Sequence, residues 1–232
     1  MDLSPNRILA DVARAQPDAR RFLSAWGIAP NAPITLAEAA ITTGLSWDLF
    51  REVLADRILG RSPAEIAEPW KACSLLKLVR HLLFRHHEYT RALLNRLDHL
   101  WDAEDNELGH DQAEPLHERY HHLASDLEAH LAREETTLFP LILEAEDLQR
   151  TGARAAVTPK GMAHPIKILR WEHSAKGDEL TNLRRMLEDL KSVPTGSAAP
   201  DGTLAALREL ELDLSTHAHL EDQILFRRLE QG

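Results

Sequence analysis

The sequence predicts an all-α protein: an up-down-up-down four-helix bundle over residues 67–232, preceded by a small helical domain over residues 1–66. Three observations lead there. Strand-like alternation of Val, Ile, Thr and aromatic residues is not sustained anywhere, while Leu, Ala, Arg and Glu dominate. From about Ser74 onward the chain falls into four amphipathic stretches of roughly 25 residues, each about 40 Å long as a helix. All 13 histidines lie between His81 and His219, so the leading region differs in composition from the rest.

In the leading region Pro17 opens a helix through Phe22, Leu23 and Trp26, with Gly27 as its stop. After a turn carrying Pro30 and Pro33, Thr35-Leu36-Ala37-Glu38 has the spacing of a capping box and starts a second helix that Gly44 ends. Ser46 caps a third helix through Phe50, Val53 and Leu54. The segment from Arg61 to Pro69 marks the boundary. The first long helix covers roughly 74–102, with Leu75, Leu78, Leu82, Tyr89, Leu93, Leu97 and Leu100 on its apolar face. An acidic loop, Ala103 to Glu114, is expected next, and Pro115 is expected to open the second helix, towards Leu143. A connection from Thr151 to Gly161 leads to a third helix opening near Pro165 and running to about Leu190. A Pro- and Gly-containing loop, Ser192 to Thr203, precedes the fourth, over roughly 204–230.

Composition narrows the function. With 27 Lys plus Arg against 37 Asp plus Glu, the net charge is −10, which argues against nucleic acid or an anionic membrane surface as a partner. The single cysteine, Cys73, excludes a disulfide framework and any cysteine-ligated zinc or iron–sulfur site, and it fits a reducing compartment. No run approaches the roughly 20 apolar residues of a membrane span, and the N-terminus has no signal-peptide h-region. A cytoplasmic protein is expected. There is no nucleophile triad, phosphate loop or nucleotide fingerprint.

The chemistry sits in a repeat. The second long helix reads His130-Leu-Ala-Arg-Glu134-Glu-Thr-Thr-Leu138-Phe139, and the fourth reads His217-Ala-His-Leu-Glu221-Asp-Gln-Ile-Leu225-Phe226. Both are H-x-x-x-E-x-x-x-L-F. The i,i+4 spacing puts imidazole and carboxylate on one face, one turn apart, with the leucine on the same stripe. Each copy has a histidine on the preceding helix at a matching distance: His87 stands 43 residues before His130 (87 to 130), and His173 stands 44 before His217 (173 to 217). Two antiparallel hairpins therefore bring His87, His130, Glu134, His173, His217 and Glu221 to one depth in the bundle. Two core-facing carboxylates are costly unless paired or metal-bound.

Imidazole with carboxylate and no thiolate suits iron or manganese, and less often zinc. Two glutamates can each bridge a pair of ions, which makes a dinuclear site the natural expectation. Of roughly twelve octahedral positions, two bridging carboxylates, an oxo or hydroxo bridge and four histidines leave some open for dioxygen, nitric oxide or water. His86 lies about 100° from His87 on a regular helix, so only one of them points squarely inward. His219 faces away from His217, His164 sits at a helix start, and His81, His99, His117, His121 and His122 read as solvated or otherwise satisfied. His110, in the expected acidic loop, is free of helix phase and placed to close over the end of the site.

At these residues the chain resembles the hemerythrin-like di-iron proteins, specifically the repair-of-iron-centres family, which restores iron–sulfur clusters after oxidative and nitrosative damage. The resemblance is carried by Arg85-His86-His87, by His130 to Pro140, by Trp171-Glu172-His173 with Gly177, and by His217 to Arg227. Phe22 to Ile28 and Ile34 to Ala40 resemble that family's small leading domain. It implies His87, His130, His173 and His217 as terminal ligands and Glu134 and Glu221 as bridges of two iron ions. It also implies a further histidine between the first two long helices, for which His110 is the nearest candidate. The implied role is in the stress response, with O2 or NO as ligand and damaged iron–sulfur proteins as partners; a binding or sensing module without turnover is the alternative. The chain departs from the family at Ala29-Pro30-Asn31-Ala32-Pro33, where adjacent cysteines are usual.

Overall fold

The computed structural model of the protein describes residues 2–108, 110–151, 159–191 and 201–231, with side chains described for these apart from 103–113, 149–151, 159–160, 191, 201 and 231. Five short helices lead: α1 (Leu9–Ala15), α2 (Pro17–Ala25), α3 (Leu36–Thr43), α4 (Trp47–Leu59) and α5 (Pro63–Ala67). The local signals explain their ends. Pro17 occupies the first position of α2, where its missing N–H is no loss. Gly27 follows that helix at φ 68°, a left-handed backbone that favours glycine, with the Arg96 guanidinium against it. Thr35 and Glu38 form both arms of the capping box, the Thr35 N–H donating to Glu38 at 2.7 Å. Ser46 accepts from the Leu49 N–H to start α4. The stretch expected to be a boundary is itself ordered: Ser62 and Glu65 box the start of α5, and a 3₁₀ turn, Glu68–Trp70, follows.

Four long helices complete the chain. Helix α6 consists of Leu75–His81, Leu82–His87 and Glu88–Leu108 in succession; α7 of His110–Arg133, Glu134–Leu138 and Phe139–Thr151; α8 of Pro159–Lys191; and α9 of Asp201–Leu220, Glu221–Leu225 and Phe226–Gln231. Each packs on the one before it and α9 packs back on α6, closing a four-helix ring. All seven apolar positions read from the sequence of α6 are buried. No strand is present among the described residues, only an isolated bridge between Ile8 and Thr35.

Three sequence expectations are corrected. The acidic stretch is not a loop: α6 runs on to Leu108, α7 starts at His110, and Pro115 lies inside it. Ala, Glu and Leu are strong helix formers, and their propensity outweighs the local charge. Helix α8 begins at Pro159, so His164 and Pro165 lie within it, not at its start. Helix α9 begins at Asp201, so the expected loop does not reach Thr203. The expected connections at 152–158 and 192–200 lie outside the described residues.

The apolar core is divided in two. One part joins the leading helices to one end of the bundle, through Phe22, Phe50, Leu93, Leu127, Leu183 and Leu210 among others. The other fills the opposite end, through Leu78, Leu82, Leu138, Ile166 and Leu225. Along α6, α7 and α8 the candidate site residues fall between these two parts, and on α9 His217 does while Glu221 lies at the edge of the second, so a polar layer is flanked above and below by close-packed side chains. No helix among the described residues is long and apolar enough to cross a membrane.

Candidate metal centre

The backbone prepares this layer with three wide turns. In α6 the Glu88 N–H bonds to the Leu83 carbonyl, in α7 Phe139 bonds to Glu134, and in α9 Phe226 bonds to Glu221. These are i→i−5 bonds of the π type, which occurs mostly as single turns and often at functional sites. They explain why adjacent residues point inward together: Leu138 with Phe139, Leu225 with Phe226, and His86 with His87 are all buried. The expectation that only one of His86 and His87 faces inward is therefore corrected, because a widened turn rotates less per residue than a regular one. The sequence did carry a signal, since L-F and H-H place two core-type residues side by side where a regular helix has room for one.

Within the layer the six predicted residues converge. His87, Glu134, His217 and Glu221 form one group and His130, Glu134, His173 and Glu221 a second, with the ligand atoms of each group within 4.8 Å of one another. Both glutamates belong to both groups. The Glu134 Oε1 lies 3.1 Å from His130 Nε2 and 3.9 Å from His173 Nε2, while its Oε2 lies 3.4 Å from His87 Nε2 and 3.8 Å from His217 Nε2. The Glu221 oxygens divide in the same way, Oε1 at 3.3 Å from His217 and Oε2 at 3.1 Å from His173. All four carboxylate oxygens, and Nε2 of His87, His173 and His217, are buried without a hydrogen-bond partner. Unpartnered buried carboxylates are unfavourable. A pair of divalent cations would satisfy every one of these atoms, so the donor set fits the group the sequence implies.

Electrostatics point the same way. Burial would push the Glu134 carboxyl up, but the facing imidazoles of His130, His173 and His87 hold it well below the usual range. Burial and the neighbouring Glu134 would raise Glu221, yet His217 and His173 bring it below its ordinary value. Burial opposes charge on His173, but its bond to Asp222 and the facing Glu134 and Glu221 carboxylates raise it to about 12. The layer thus favours ionised carboxylates and attracts positive charge.

A second ring of acids orients the imidazoles. Nδ1 of His87 lies 2.8 Å from Glu135, that of His130 2.7 Å from Glu172, and that of His173 3.2 Å from Asp222. Each imidazole therefore donates outward through Nδ1 and turns Nε2 to the centre, as metal-binding histidines do. Arginines hold the acids in turn: Arg91 donates to Glu135 at 2.7 Å and Arg133 to Glu172 at 2.6 Å, while Arg170 lies 3.8 Å from Asp222. These acids escaped sequence reasoning, although each adjoins a predicted site residue in Glu134-Glu135, Glu221-Asp222 and Glu172-His173. Glu172→Gln is expected to weaken ferrous-ion binding 10–100-fold in a chelator competition, with little change in the melting temperature of the metal-free protein. An affinity within twofold of wild type would contradict this orienting role.

His219 is half-buried and belongs to neither group, and His164 is exposed. His110 opens α7 instead of riding a free loop, and its side chain lies outside the described residues. A cavity of about 470 Å3 reaches the layer from the side, lined by His130, His173 and His217 within and by Lys176, Gly177 and Thr181 farther along α8.

A bundle whose buried centre is a histidine and glutamate layer with matched donor groups defines a non-haem metal-binding protein of the hemerythrin type. Residues 78–158 match the hemerythrin HHE cation binding domain. The chain thus carries a hemerythrin-type domain, and over most of its length it is similar to iron–sulfur cluster repair proteins. It is 26% identical over 201 residues to the iron-sulfur cluster repair protein YtfE of Dickeya chrysanthemi (strain Ech1591), covering 85% of this chain and 84% of that protein. The iron-sulfur cluster repair proteins YtfE of Salmonella paratyphi B (strain ATCC BAA-1250 / SPB7) and Salmonella newport (strain SL254) are likewise 26% identical over 202 residues, with 85% of this chain and 84% of each relative covered.

Proposed function

We propose that the chain is a cytoplasmic non-haem di-iron protein of the oxidative and nitrosative stress response, which supports the repair of damaged iron–sulfur proteins through NO or O2 chemistry or iron donation. The observation that carries this reading is the division of the glutamate oxygens: each carboxylate offers one oxygen to the His87–His217 side and the other to the His130–His173 side. A carboxylate so placed is a bridge between two ions. His87 and His217 would hold one ion and His130 and His173 the other, with Glu134 and Glu221 serving both; His110 is the candidate for a further ligand. Bound iron supplies one-electron chemistry and an open position for a small diatomic molecule. The chain's own groups do the rest. Glu135, Glu172 and Asp222 fix the imidazole tautomers, the two apolar cores exclude bulk water, and the lateral cavity admits the ligand. Residues 1–66 act as a leading unit and 67–232 as the metal-binding bundle.

A second reading, a module that binds or senses NO, O2 or iron without turnover, is favoured by the absence of cysteine from positions 29–33. Two measurements test these readings. Iron analysis of the air-oxidised protein is expected to give two irons per chain with oxo-to-iron charge-transfer bands, and a chain that takes up no iron on reconstitution contradicts both. Anaerobic titration of the reduced protein with NO then separates them, because nitrous oxide forms only if the site turns over.

A further inference from the structure

Beneath the histidine layer lies a buried ionic cluster that the proposed chemistry does not use. Its centre is Asp213, fully buried on α9 one turn before His217. Asp213 accepts from Arg85 Nη1 at 2.8 Å and from His86 Nδ1 at 3.2 Å, two successive residues of the wide turn Leu82–His87. The Arg85 guanidinium lies over the Tyr89 ring and reaches Asp56 of α4 at 3.6 Å. From the same helix, Arg57 donates to Glu209 at 2.6 Å and approaches Asp213 at 4.0 Å, and Tyr89 donates to Glu209 at 3.0 Å. Two guanidinium groups and three carboxylates thus tie α4, α6 and α9 together out of water.

Resting on the di-iron reading above, we infer that Asp213 and Arg85 are positioning residues for the metal centre: they hold the wide turn that aims His87 at the ions, and they couple that turn to the leading helices through Asp56 and Arg57. Helix packing alone does not call for charges here, because apolar residues of similar volume usually hold a buried interface as well as an ion pair does. What the charges add is geometry. His86 and His87 are adjacent and both inward, and the His86 ring stacks 5.7 Å from that of His217. Asp213 takes the Nδ1 of His86 and so leaves His87, whose Nδ1 goes to Glu135, as the imidazole that faces Glu134. Without that hold the turn relaxes towards regular helix, where neighbouring side chains diverge by about 100° and His87 leaves the layer.

The test replaces the ion pair by apolar volume in the full-length chain, as Arg85→Met with Asp213→Leu, so that folding is retained. The expected result is a melting temperature of the metal-free protein near wild type, ferrous-ion affinity lowered 10–100-fold, and amide exchange within residues 82–88 accelerated at least tenfold in the metal-free protein. Asp213→Asn, which keeps size but removes the charge, is expected to give the same signs with smaller changes. Tyr120→Phe is the control, since its hydroxyl donates to Leu94 and Asp98 at one end of the bundle. It is expected to lower the melting temperature without changing iron affinity. Wild-type exchange at 82–88 in the Arg85→Met, Asp213→Leu variant overturns the proposal whether or not iron binds. So does an affinity loss in Tyr120→Phe equal to that of the paired variant. Failure of wild-type protein to take up iron instead overturns the di-iron reading, and the exchange measurement still decides the role of the pair.

Discussion

Glu134→Ala is expected to abolish dinuclear iron binding, lowering affinity at least 1000-fold, or about 4 kcal/mol. The size of the effect follows from position. Glu134 alone lies within 4 Å of all four site imidazoles, so its loss removes a donor from both ions and the negative charge that draws them together. Glu221→Ala is expected to act in the same direction, whereas His219→Ala, outside both donor groups, leaves two irons per chain. Metal analysis with ferrous-ion titration measures all three. Equal losses in Glu134→Ala and His219→Ala would contradict the facial assignment on which the site is built.

Removal of the metal is the second large effect. In the metal-free chain two carboxylates stay fully buried with unpartnered oxygens, and the folded state carries their desolvation cost. Ions that bind only the folded chain stabilise it by mass action, by about 2.7 kcal/mol per site at a hundredfold excess over Kd. For two sites in a chain of this length, iron loading is expected to raise the melting temperature by roughly 10–20 °C. A chelator reverses the gain, and calorimetry of loaded and stripped protein reads it directly. A melting temperature indifferent to chelator would mean that the orphaned oxygens are not the ions' ligands.

Much of this was legible in the residues. The duplicated H-x-x-x-E-x-x-x-L-F stripes and their upstream histidines named six groups, and the structure brings those six together, because i,i+4 spacing on a helix is a local property that survives whatever the helix packs against. The stripe of α9 extends further upstream, as Glu209 and Asp213 continue the same spacing from His217 towards the leading helices, and that part went unread. The acidic stretch after Trp101 is helical against its local signals. Charge and a proline suggest a loop, but the helix propensity of the same residues decided otherwise.

By itself the sequence determined the helical class, the faces that pack inward, the donor types and the choice of iron-like chemistry over thiolate chemistry. Those follow from periodicity and from the ligand preferences of imidazole and carboxylate, which need no knowledge of neighbours. Only the tertiary structure decided that His86 turns inward beside His87, which oxygen of each glutamate serves which histidine pair, and that the leading helices reach the site through Arg57 and Asp56. The physical reason is common to all three. An i→i−5 turn and a buried ion pair are stabilised by groups more than a hundred residues away in the chain, and such contacts leave no local period to read.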